Sequence, residues 1–370
     1  MQAEREEAGP SGVLQIRKEK TMEITRLTGK DCLRTRTLWE TVFTEDSCKF
    51  VDYYYQEKAP HNVAYVTGEE PYEAMLFCTP YPVEVYGRMK ELSYIVGVAT
   101  KEECRHQGKM TALLMTAMET MYRDRHPFTF LMPANPAIYE PFGFSYIYER
   151  TQWTFQDGQF PLETLEPLIK TPETLEIPAI AGRLSSLLGQ GKKEEKKRQL
   201  CARLADYANH WLKENQQIYV KRDGYYYERQ LKEIQAQNGD IFLLEKEGRL
   251  EGFFLYAREG DEISIQEMME TTPGSFPFLR EKEKKKPIIM ARIIHLEEMM
   301  KLVKSPENRA VLIDIEDSIL PQNDGLYLWE ITPQGSRVSR QREVGDAEVR
   351  MTIEELTPYL FRGVFLNEIV

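Results

Sequence analysis

The chain has 370 residues, of which 42% are hydrophobic and 29% charged, a composition that predicts a globular protein of two or three domains at about 150 residues each. Its formal net charge of −11 argues against a nucleic-acid-binding protein and suits a cationic or amine-bearing partner. No segment approaches the ~20 consecutive apolar residues of a membrane span, and Met1–Lys20 lacks the apolar core of a secretory signal. We therefore expect a cytoplasmic protein whose residues 1–21 form a disordered tail.

The cysteines and histidines give no sign of a metal site or a disulfide framework. The five cysteines include no pair at CxxC spacing, and the five histidines form no HExxH cluster. We expect free thiols in a reducing compartment and no bound metal.

The first lobe begins with the pattern of an antiparallel meander. Segments with strand composition are separated by the turn residues Gly68–Pro71 and by Gly87; they are Asn62–Thr67, Ala74–Cys78, Val83–Tyr86 and Leu92–Thr100. The last segment is nearly continuously apolar, which is typical of a strand buried on both faces.

A helix is expected next, after the polar segment Lys101–Lys109. Its apolar residues recur at helical spacing and are Met110, Leu113, Leu114, Ala117, Met118 and Met121. Pro127 ends the helix. A buried strand at Phe128–Met132, a turn-rich segment at Pro133–Gly143 and a strand around Tyr146–Phe155 complete the lobe.

A second unit begins near Thr151. The charge run Gly191–Gln199 is interpreted as a solvated lead-in to a helix over Cys201–Leu212, whose buried stripe is Cys201, Leu204, Ala205, Ala208 and Leu212. Short strands joined by glycine turns then form another meander; they are Ile241–Leu244, Gly252–Tyr256 and Ile263–Gln266.

The charge run Arg280–Lys286, which ends at Pro287, marks the next boundary. The third unit is expected to contain strands at Ile288–Ile294, Val311–Ile315 and Leu326–Ile331, a helix through Met299–Val303, and a last helix that starts at the capping box Thr352–Glu355. The prediction is a mixed α+β fold with domains at 22–150, 151–286 and 287–370.

The polar loop between the buried strand and the methionine-rich helix is a candidate phosphate-binding loop. Backbone N–H groups at a helix N-terminus are unpaired and carry partial positive charge, so they bind anions. Gly108 would let the backbone approach a diphosphate closely, and Arg105 and Lys109 add positive charge.

This loop resembles that of the GNAT superfamily of N-acetyltransferases, which reads Arg/Gln-x-x-Gly-x-Gly/Ala. The segment Arg105–Met110 (RHQGKM) matches except at Met110, where the family has a small residue. Roughly thirty residues later, Asn135–Phe144 (NPAIYEPFGF) matches the Asn and the Tyr-x-x-Phe/Leu-Gly-Phe that GNAT enzymes carry after the next strand. The resemblance implies an acetyl-coenzyme A site formed by Val98, Ala99, Thr100, Arg105, His106, Gln107, Gly108, Lys109, Met110, Thr111 and Asn135.

Acyl transfer from a thioester needs a positioned cofactor, donors for the tetrahedral oxyanion and a proton for the leaving thiolate. The backbone of Val98–Thr100 could pair with the pantetheine arm. Tyr139 is the candidate acid; as one of 20 tyrosines, its alternative role is that of a packed loop aromatic.

The second unit looks like a degenerate copy of the first, because its meander is followed by Met268–Pro273 (MMETTP) instead of a basic glycine loop. One active lobe, one silent lobe and a C-terminal α+β unit resemble the enhanced intracellular survival (Eis) family of bacterial acetyltransferases, whose third domain is similar to sterol carrier proteins. In that family the small loop residue is often a larger apolar one, as Met110 is here. The resemblance implies an amine acceptor (an aminoglycoside, a polyamine or a lysine side chain), a homo-hexamer, and the terminal carboxylate, here that of Val370, as catalytic base.

Two other classes of function remain open. The C-terminal unit could make the protein a lipid carrier, although its apolar strands are explained by a core. The protein could also sense amines or bind proteins without catalysis. Thiol release from acetyl-coenzyme A in the presence of amines separates an enzyme from both.

Overall fold

The computed structural model describes residues 22–155, 179–184, 193–260, 262–341 and 347–367. The expected tail over residues 1–21 and the candidate base Val370 therefore lie outside the described residues. The strands are β1 (Ile24–Thr28), β2 (Val63–Thr67), β3 (Ala74–Val85), β4 (Arg88–Thr100), β5 (Phe128–Leu131), β6 (Ser145–Arg150), β7 (Trp153–Phe155), β8 (Ala179–Arg183), β9 (Ile218–Val220), β10 (Asp240–Lys246), β11 (Arg249–Glu259), β12 (Glu262–Glu270), β13 (Leu279–Glu281), β14 (Lys286–Ile293), β15 (Arg309–Glu316), β16 (Gly325–Thr332), β17 (Gly335–Arg340), β18 (Val349–Thr352) and β19 (Val364–Phe365). The helices are α1 (Arg36–Val42), α2 (Cys48–Tyr53), α3 (Lys109–Arg123), α4 (Lys193–Asn215), α5 (Gly224–Ala236), α6 (Leu296–Met300) and α7 (Ile353–Leu360). The predicted mixed α+β fold is confirmed.

The first meander forms the centre of a nine-stranded sheet. Its main path has the order β1-β2-β3-β4-β5-β14-β6, and β9 joins β3 to β19. Strands β1 to β4 are antiparallel, while β5 is parallel to β4 because α3 connects them. Helix α3 packs on one face of this sheet, and α1 and α2 pack on the other.

Strand β3 corrects the prediction of two separate strands at 74–78 and 83–86. It is continuous over 12 residues and includes Pro80 and Pro82, which are both exposed. The carbonyl of Pro82 accepts from Lys221 N, just after β9. The N and C=O groups of one strand residue point to the same side, and this direction repeats every two residues. The nitrogens of Pro80 and Pro82 therefore both face the side of β3 on which β2 and β9 pair. Strand β2 pairs only as far as Cys78 and β9 starts at Val83, so no ladder hydrogen bond is lost between them.

Strand β14 lies in the nine-stranded sheet, although its residues were assigned to the third unit. Met290 pairs with Leu131 of β5, and Ala291 pairs with Ser145 of β6. The expected single strand over 146–155 is also divided, because β6 belongs to this sheet and β7 pairs with β13. Strand β14, from the predicted third unit, thus lies in the sheet of the first unit. The predicted domain boundaries stay predictions.

The second meander forms a four-stranded sheet in the order β12-β11-β10-β8, which is the strand order of β4-β3-β2-β1. Helices α4 and α5 precede β10 just as α1 and α2 precede β2. The buried stripe predicted for α4 is confirmed, as all five of its residues are buried. Helix α5 was not predicted, because its buried face includes the polar residues Gln230 and Glu233, which interrupt the apolar periodicity.

The third unit contains a sheet in the order β17-β16-β15-β18, with α6 and α7 beside it. The capping box at the start of α7 is confirmed: Thr352 Oγ1 accepts from Glu355 N, and the Glu355 carboxylate accepts from Thr352 N. Across the ranges given above, no helix combines the length and apolar character needed to cross a membrane.

Candidate active site

Strand β4 is bulged in the middle of its pairing with β3. Between Val96 and Ala99 it places two residues, Gly97 and Val98, opposite a single residue of β3. Gly97 has φ +60, and a Cβ there would lie 2.5 Å from the ring of Trp39. Glycine is therefore required by both the backbone conformation and the close packing of α1.

From Val96 onward, where the bulge begins, β4 no longer pairs with β5. The two strands pair only at Tyr94 with Phe130 and at Ile95 with Leu131, while β4 continues to Thr100. No described strand pairs with this last part of β4 on the β5 side. The backbone of Val96–Thr100 therefore offers an open edge on which an extended ligand could form ladder hydrogen bonds.

The loop after β4 presents a row of unpaired backbone N–H groups. After a 3₁₀ turn at Glu102–Cys104, both His106 (φ +58) and Gly108 (φ +74) adopt left-handed conformations. None of the backbone N–H groups from His106 to Thr111 has an acceptor in the described part of the chain. These groups stand at the N-terminus of the 15-residue helix α3, where the unpaired N–H groups and the helix dipole both favour an anion.

The charges of the loop differ in their availability. Lys109 Nζ lies 2.7 Å from Glu73 Oε2, so its charge is already compensated. Arg105 is exposed and forms no ion pair with the described residues. Gln107 Nε2 donates to the carbonyl of Glu103 at 3.0 Å, which stabilises the loop itself.

The other predicted cofactor residues divide between the two faces of the sheet. Val98 and Met110 belong to the same apolar cluster as Tyr139, on the α3 face of the sheet. Ala99 faces the opposite cluster, which contains Trp39. Thr111 is exposed at the first turn of α3.

Tyr139 is held in a turn that leads into β6. It is 8% exposed, and its ring packs edge-on against Phe144 with centroids 5.9 Å apart. Its hydroxyl has no hydrogen-bond partner among the residues described. Burial raises the pKa of Tyr139 to about 12, so the hydroxyl keeps its proton near neutral pH. Asn135 is exposed and caps this turn, as its Oδ1 accepts from Ala137 N at 3.1 Å.

A buried arginine under the Tyr139 turn was missed by the sequence reasoning. A Cβ at Gly143 (φ +77) would overlap Nη1 of Arg292, which is fully buried on β14. Arg292 forms an ion pair with Asp317 at 2.6 Å, and Asp317 also accepts from Asn323 Nδ2 at 2.9 Å. The third unit therefore supports the turn that carries Tyr139. No local pattern could have revealed a contact between residues this far apart in the sequence.

The described chain ends at Asn367, three residues before Val370. The side chain of Phe365 packs on Tyr148 and Trp211 with ring centroids 5.5 and 5.9 Å away, and Asn367 Nδ2 donates to the carbonyl of Gln266 at 2.6 Å. The tail is thus anchored up to this point. The remaining three residues can span at most about 10 Å.

Residues 23–147 match the family model described as the GNAT acetyltransferase domain, and residues 296–370 match that of the sterol carrier protein domain. This part of the chain is therefore similar to the GNAT acetyltransferase domain. The match includes the bulge of β4, the loop before α3 and the Tyr139 turn. In the described ranges, no group of three or more His, Cys, Asp or Glu side chains could hold a metal ion.

Solved structures show that the fold extends beyond the GNAT domain. A conserved Enterococcus faecalis protein of unknown function is 18% identical, with 92% of this chain and 90% of that chain covered at a TM-score of 0.69. A GCN5-related N-acetyltransferase from Anabaena variabilis is 13% identical, with 92% and 90% covered and a TM-score of 0.64. Eis1 from Mycobacterium abscessus is 10% identical, with 92% and 89% covered and a TM-score of 0.63. A comparison with curated protein sequences gives no match.

Proposed function

We propose that the protein is an acetyl-coenzyme A-dependent N-acetyltransferase that acts on an amine. The observation that carries this proposal is the row of unpaired N–H groups from His106 to Thr111 at the head of α3, next to the open edge of β4. A diphosphate fits the first feature and an extended pantetheine arm fits the second. The GNAT domain match supports the same reaction class.

The cofactor would use the backbone more than the side chains of the loop. The diphosphate would accept from the N–H groups around Gly108, while Arg105 is the free cation nearest to it in sequence. Lys109 would contribute less, because Glu73 already neutralises it. The pantetheine arm would pair with the backbone of Val98–Thr100 and bring the thioester to the bulge of β4.

In the reaction, the neutral amine attacks the thioester carbonyl carbon and forms a tetrahedral oxyanion. This intermediate collapses as the C–S bond breaks and the nitrogen gives up its proton to the base. A bulge leaves one residue out of the ladder, so a backbone N–H of Gly97 or Val98 is the candidate donor to the oxyanion. Tyr139, whose raised pKa keeps its hydroxyl protonated, donates a hydrogen bond to the departing sulfur.

The base that takes the proton of the acceptor amine would be the α-carboxylate of Val370, as the Eis resemblance implies. Its reference pKa of about 3.3–3.7 makes it a weak base that can still orient a water or the ammonium group. Extending the C-terminus by four Gly and Ser residues keeps every side chain and moves this carboxylate. We expect kcat to collapse while the melting temperature and coenzyme A affinity stay unchanged; normal turnover of the extended chain would refute this role.

The acceptor class is tested by thiol release from acetyl-coenzyme A over a panel of a polyamine, an aminoglycoside and a lysine peptide. We expect saturable turnover with at least one of these amines and none with the matched N-acetylated compound. If no amine accelerates thiol release although coenzyme A binds, the amine-acceptor proposal fails. The homo-hexamer and the cytoplasmic location stay predictions.

The alternative of a lipid carrier is not favoured. The apolar side chains of the third sheet are buried in the common core; they include Ile313, Ile315, Tyr327 and Trp329.

A further inference from the structure

A cavity lies at the bulge of β12, in the second meander, and has a volume of about 700 Å³. Strand β12 is the edge strand of its sheet. Gln266 is the extra residue of its bulge, since Leu255 pairs with Glu267 and Tyr256 pairs with Ile265. The facing wall comes from β6 and from the segment around β19. The cavity therefore lies along β12 of the second sheet, at the position that corresponds to the open edge of β4 in the first sheet.

Arg150 lines this cavity as a cation without a counter-ion. Its Nη1 donates to two neutral acceptors of Gln266, the carbonyl oxygen at 3.3 Å and Oε1 at 2.5 Å. It forms no ion pair with any residue of the described ranges, and its enclosed Nε has no acceptor. Its Nη2 also lacks an acceptor and is not enclosed. Burial lowers the pKa of Arg150, as expected where no anion offsets the desolvation of the guanidinium.

The acidic residues around the cavity are already engaged or face solvent. Arg222 holds the Glu267 carboxylate with two hydrogen bonds of 2.6 and 2.7 Å. The Glu270 carboxylate accepts two backbone N–H groups of the following turn, at 3.0 and 2.9 Å. Glu149 is exposed. A cationic ligand would therefore find few buried carboxylates without a partner, whereas a ligand with a single negative charge would pair with Arg150.

Several of the remaining wall residues are aromatic, and the exposed Lys285 also lines the cavity. Trp153, Trp211 and Tyr146 line the cavity, and ring faces of this kind favour an apolar or aromatic body. Asn367 also lines it; this residue is 5% exposed, and its Oδ1 is enclosed without a partner.

We propose that this cavity binds a monocarboxylate with an aromatic or apolar body, the carboxylate on Arg150 and the body against Trp153 and Trp211. The ligand would be a free carboxylic acid, distinct from the α-carboxylate of Val370 that is proposed above as the base. The proposal is independent of acetyl transfer, because binding is measured without acetyl-coenzyme A.

The test is calorimetric titration of the full-length protein with 3-phenylpropionate, with 3-phenylpropionamide and 3-phenylpropylamine as neutral and cationic matches. Two of the four tryptophans line the cavity, so fluorescence quenching gives a second readout. We expect the acid to bind at least tenfold more tightly than the amide or the amine. Arg150→Gln should lose this preference at an unchanged melting temperature, Arg150→Lys should keep part of it, and Arg337→Gln, at an exposed arginine, should keep all of it.

The C-terminally extended chain is a control, because a site for a free acid should bind 3-phenylpropionate equally well in the native and the extended chain. At least tenfold tighter binding by the extended chain would show instead that the chain's own end occupies the cavity, and would overturn the free acid as its ligand. The proposal is also overturned if the native chain does not bind the acid, if acid and amide bind equally, or if Arg150→Gln binds the acid as the native protein does.

Discussion

Two meanders in this molecule share a strand order and a bulged fourth strand, but their last strands lead into different turns. After β4, the loop passes through left-handed Gly108 into α3 and leaves the N–H groups of six residues without acceptors in the described chain. After β12, no helix follows before β13, and the Glu270 carboxylate accepts from Gly274 N and Ser275 N. A side chain thus occupies the place in the second turn that an external anion would occupy in the first.

This difference shows how one topology can leave the N–H groups of a turn open to an anion in one copy and satisfied by a side chain in the other. The strand order positions a turn in both, but the anion site depends on which group satisfies the N–H groups of that turn. The edges differ in the same way. The edge of β4 beyond Ile95 is open, whereas the carbonyl of Gln266 at the β12 bulge accepts from Arg150 and Asn367.

The largest effect is expected on stability in the second meander, where buried charges hold the bulged strand. Arg222→Met leaves the buried Glu267 carboxylate without its partner, which typically costs about 3–5 kcal/mol. Urea unfolding should show this loss. Arg203→Met, at a partly exposed pair with Glu245, should cost less than about 1 kcal/mol. If the two variants lose the same free energy of unfolding, the buried pair of Arg222 with Glu267 does not have the structural role proposed for it.

The first meander should respond in activity instead. Tyr139→Phe keeps the ring and removes the hydroxyl, and a general acid contributes about 10²–10⁴-fold. We expect kcat to fall at least about tenfold with unchanged acetyl-coenzyme A affinity, and Tyr146→Phe, on exposed β6, to be silent. Near-normal turnover of Tyr139→Phe would leave Tyr139 as a packing residue.

The pH profile provides an independent check of Tyr139. Its working form is protonated, and burial raises its pKa to about 12, so this form is lost only as the pH rises through that value. The kcat at saturating acceptor should therefore show no decline from this group up to about pH 11. A decline centred near 10, the ordinary tyrosine value, would show that the hydroxyl is solvated in the working enzyme.

A smaller effect is expected when the first loop is made to resemble the second. Gly108→Glu brings a carboxylate to the head of α3, where nothing lies within 4 Å of the added Cβ. Coenzyme A affinity should fall more than tenfold, or about 1.4 kcal/mol. Gly248→Glu is the matched control, because Gly248 has nearly the same φ (+75 against +74) and equal space, but lies in the β10–β11 turn. Equal affinities of the two variants would disprove the loop assignment.

Local patterns predicted the elements that form their contacts locally. The spacing of apolar residues identified α3 and α4, and Thr352 with Glu355 identified the start of α7. Helix α5 was not predicted, because the partner that allows Glu233 to be buried is the hydroxyl of Tyr53, 180 residues away in the sequence. The position of β14 could not be predicted for a similar reason. An apolar strand is compatible with either sheet, and only its pairing with β5 and β6 shows to which sheet it belongs.

The candidate site was predictable to the same extent. Gly108 and the helix start indicated a phosphate loop, and this stays a prediction; the structure adds that Gly108 is left-handed and that the N–H groups around it have no acceptor among the described residues. The pairing of Lys109 with Glu73 and the capping role of Asn135 depend on side-chain contacts that no spacing reveals. The contact of Arg292 with the Tyr139 turn could not be predicted, because Arg292 lies on a strand that the sequence assigned to another unit.

We expect one of the two turns to bind coenzyme A and the other not to bind it. Calorimetric titration of the full-length protein with coenzyme A measures this directly, as the number of sites per chain. We expect one site per chain, whose affinity falls more than tenfold in Gly108→Glu and is kept in Gly248→Glu. Two sites per chain, or one site that Gly108→Glu leaves intact, would show that the turn before α3 is not the cofactor site.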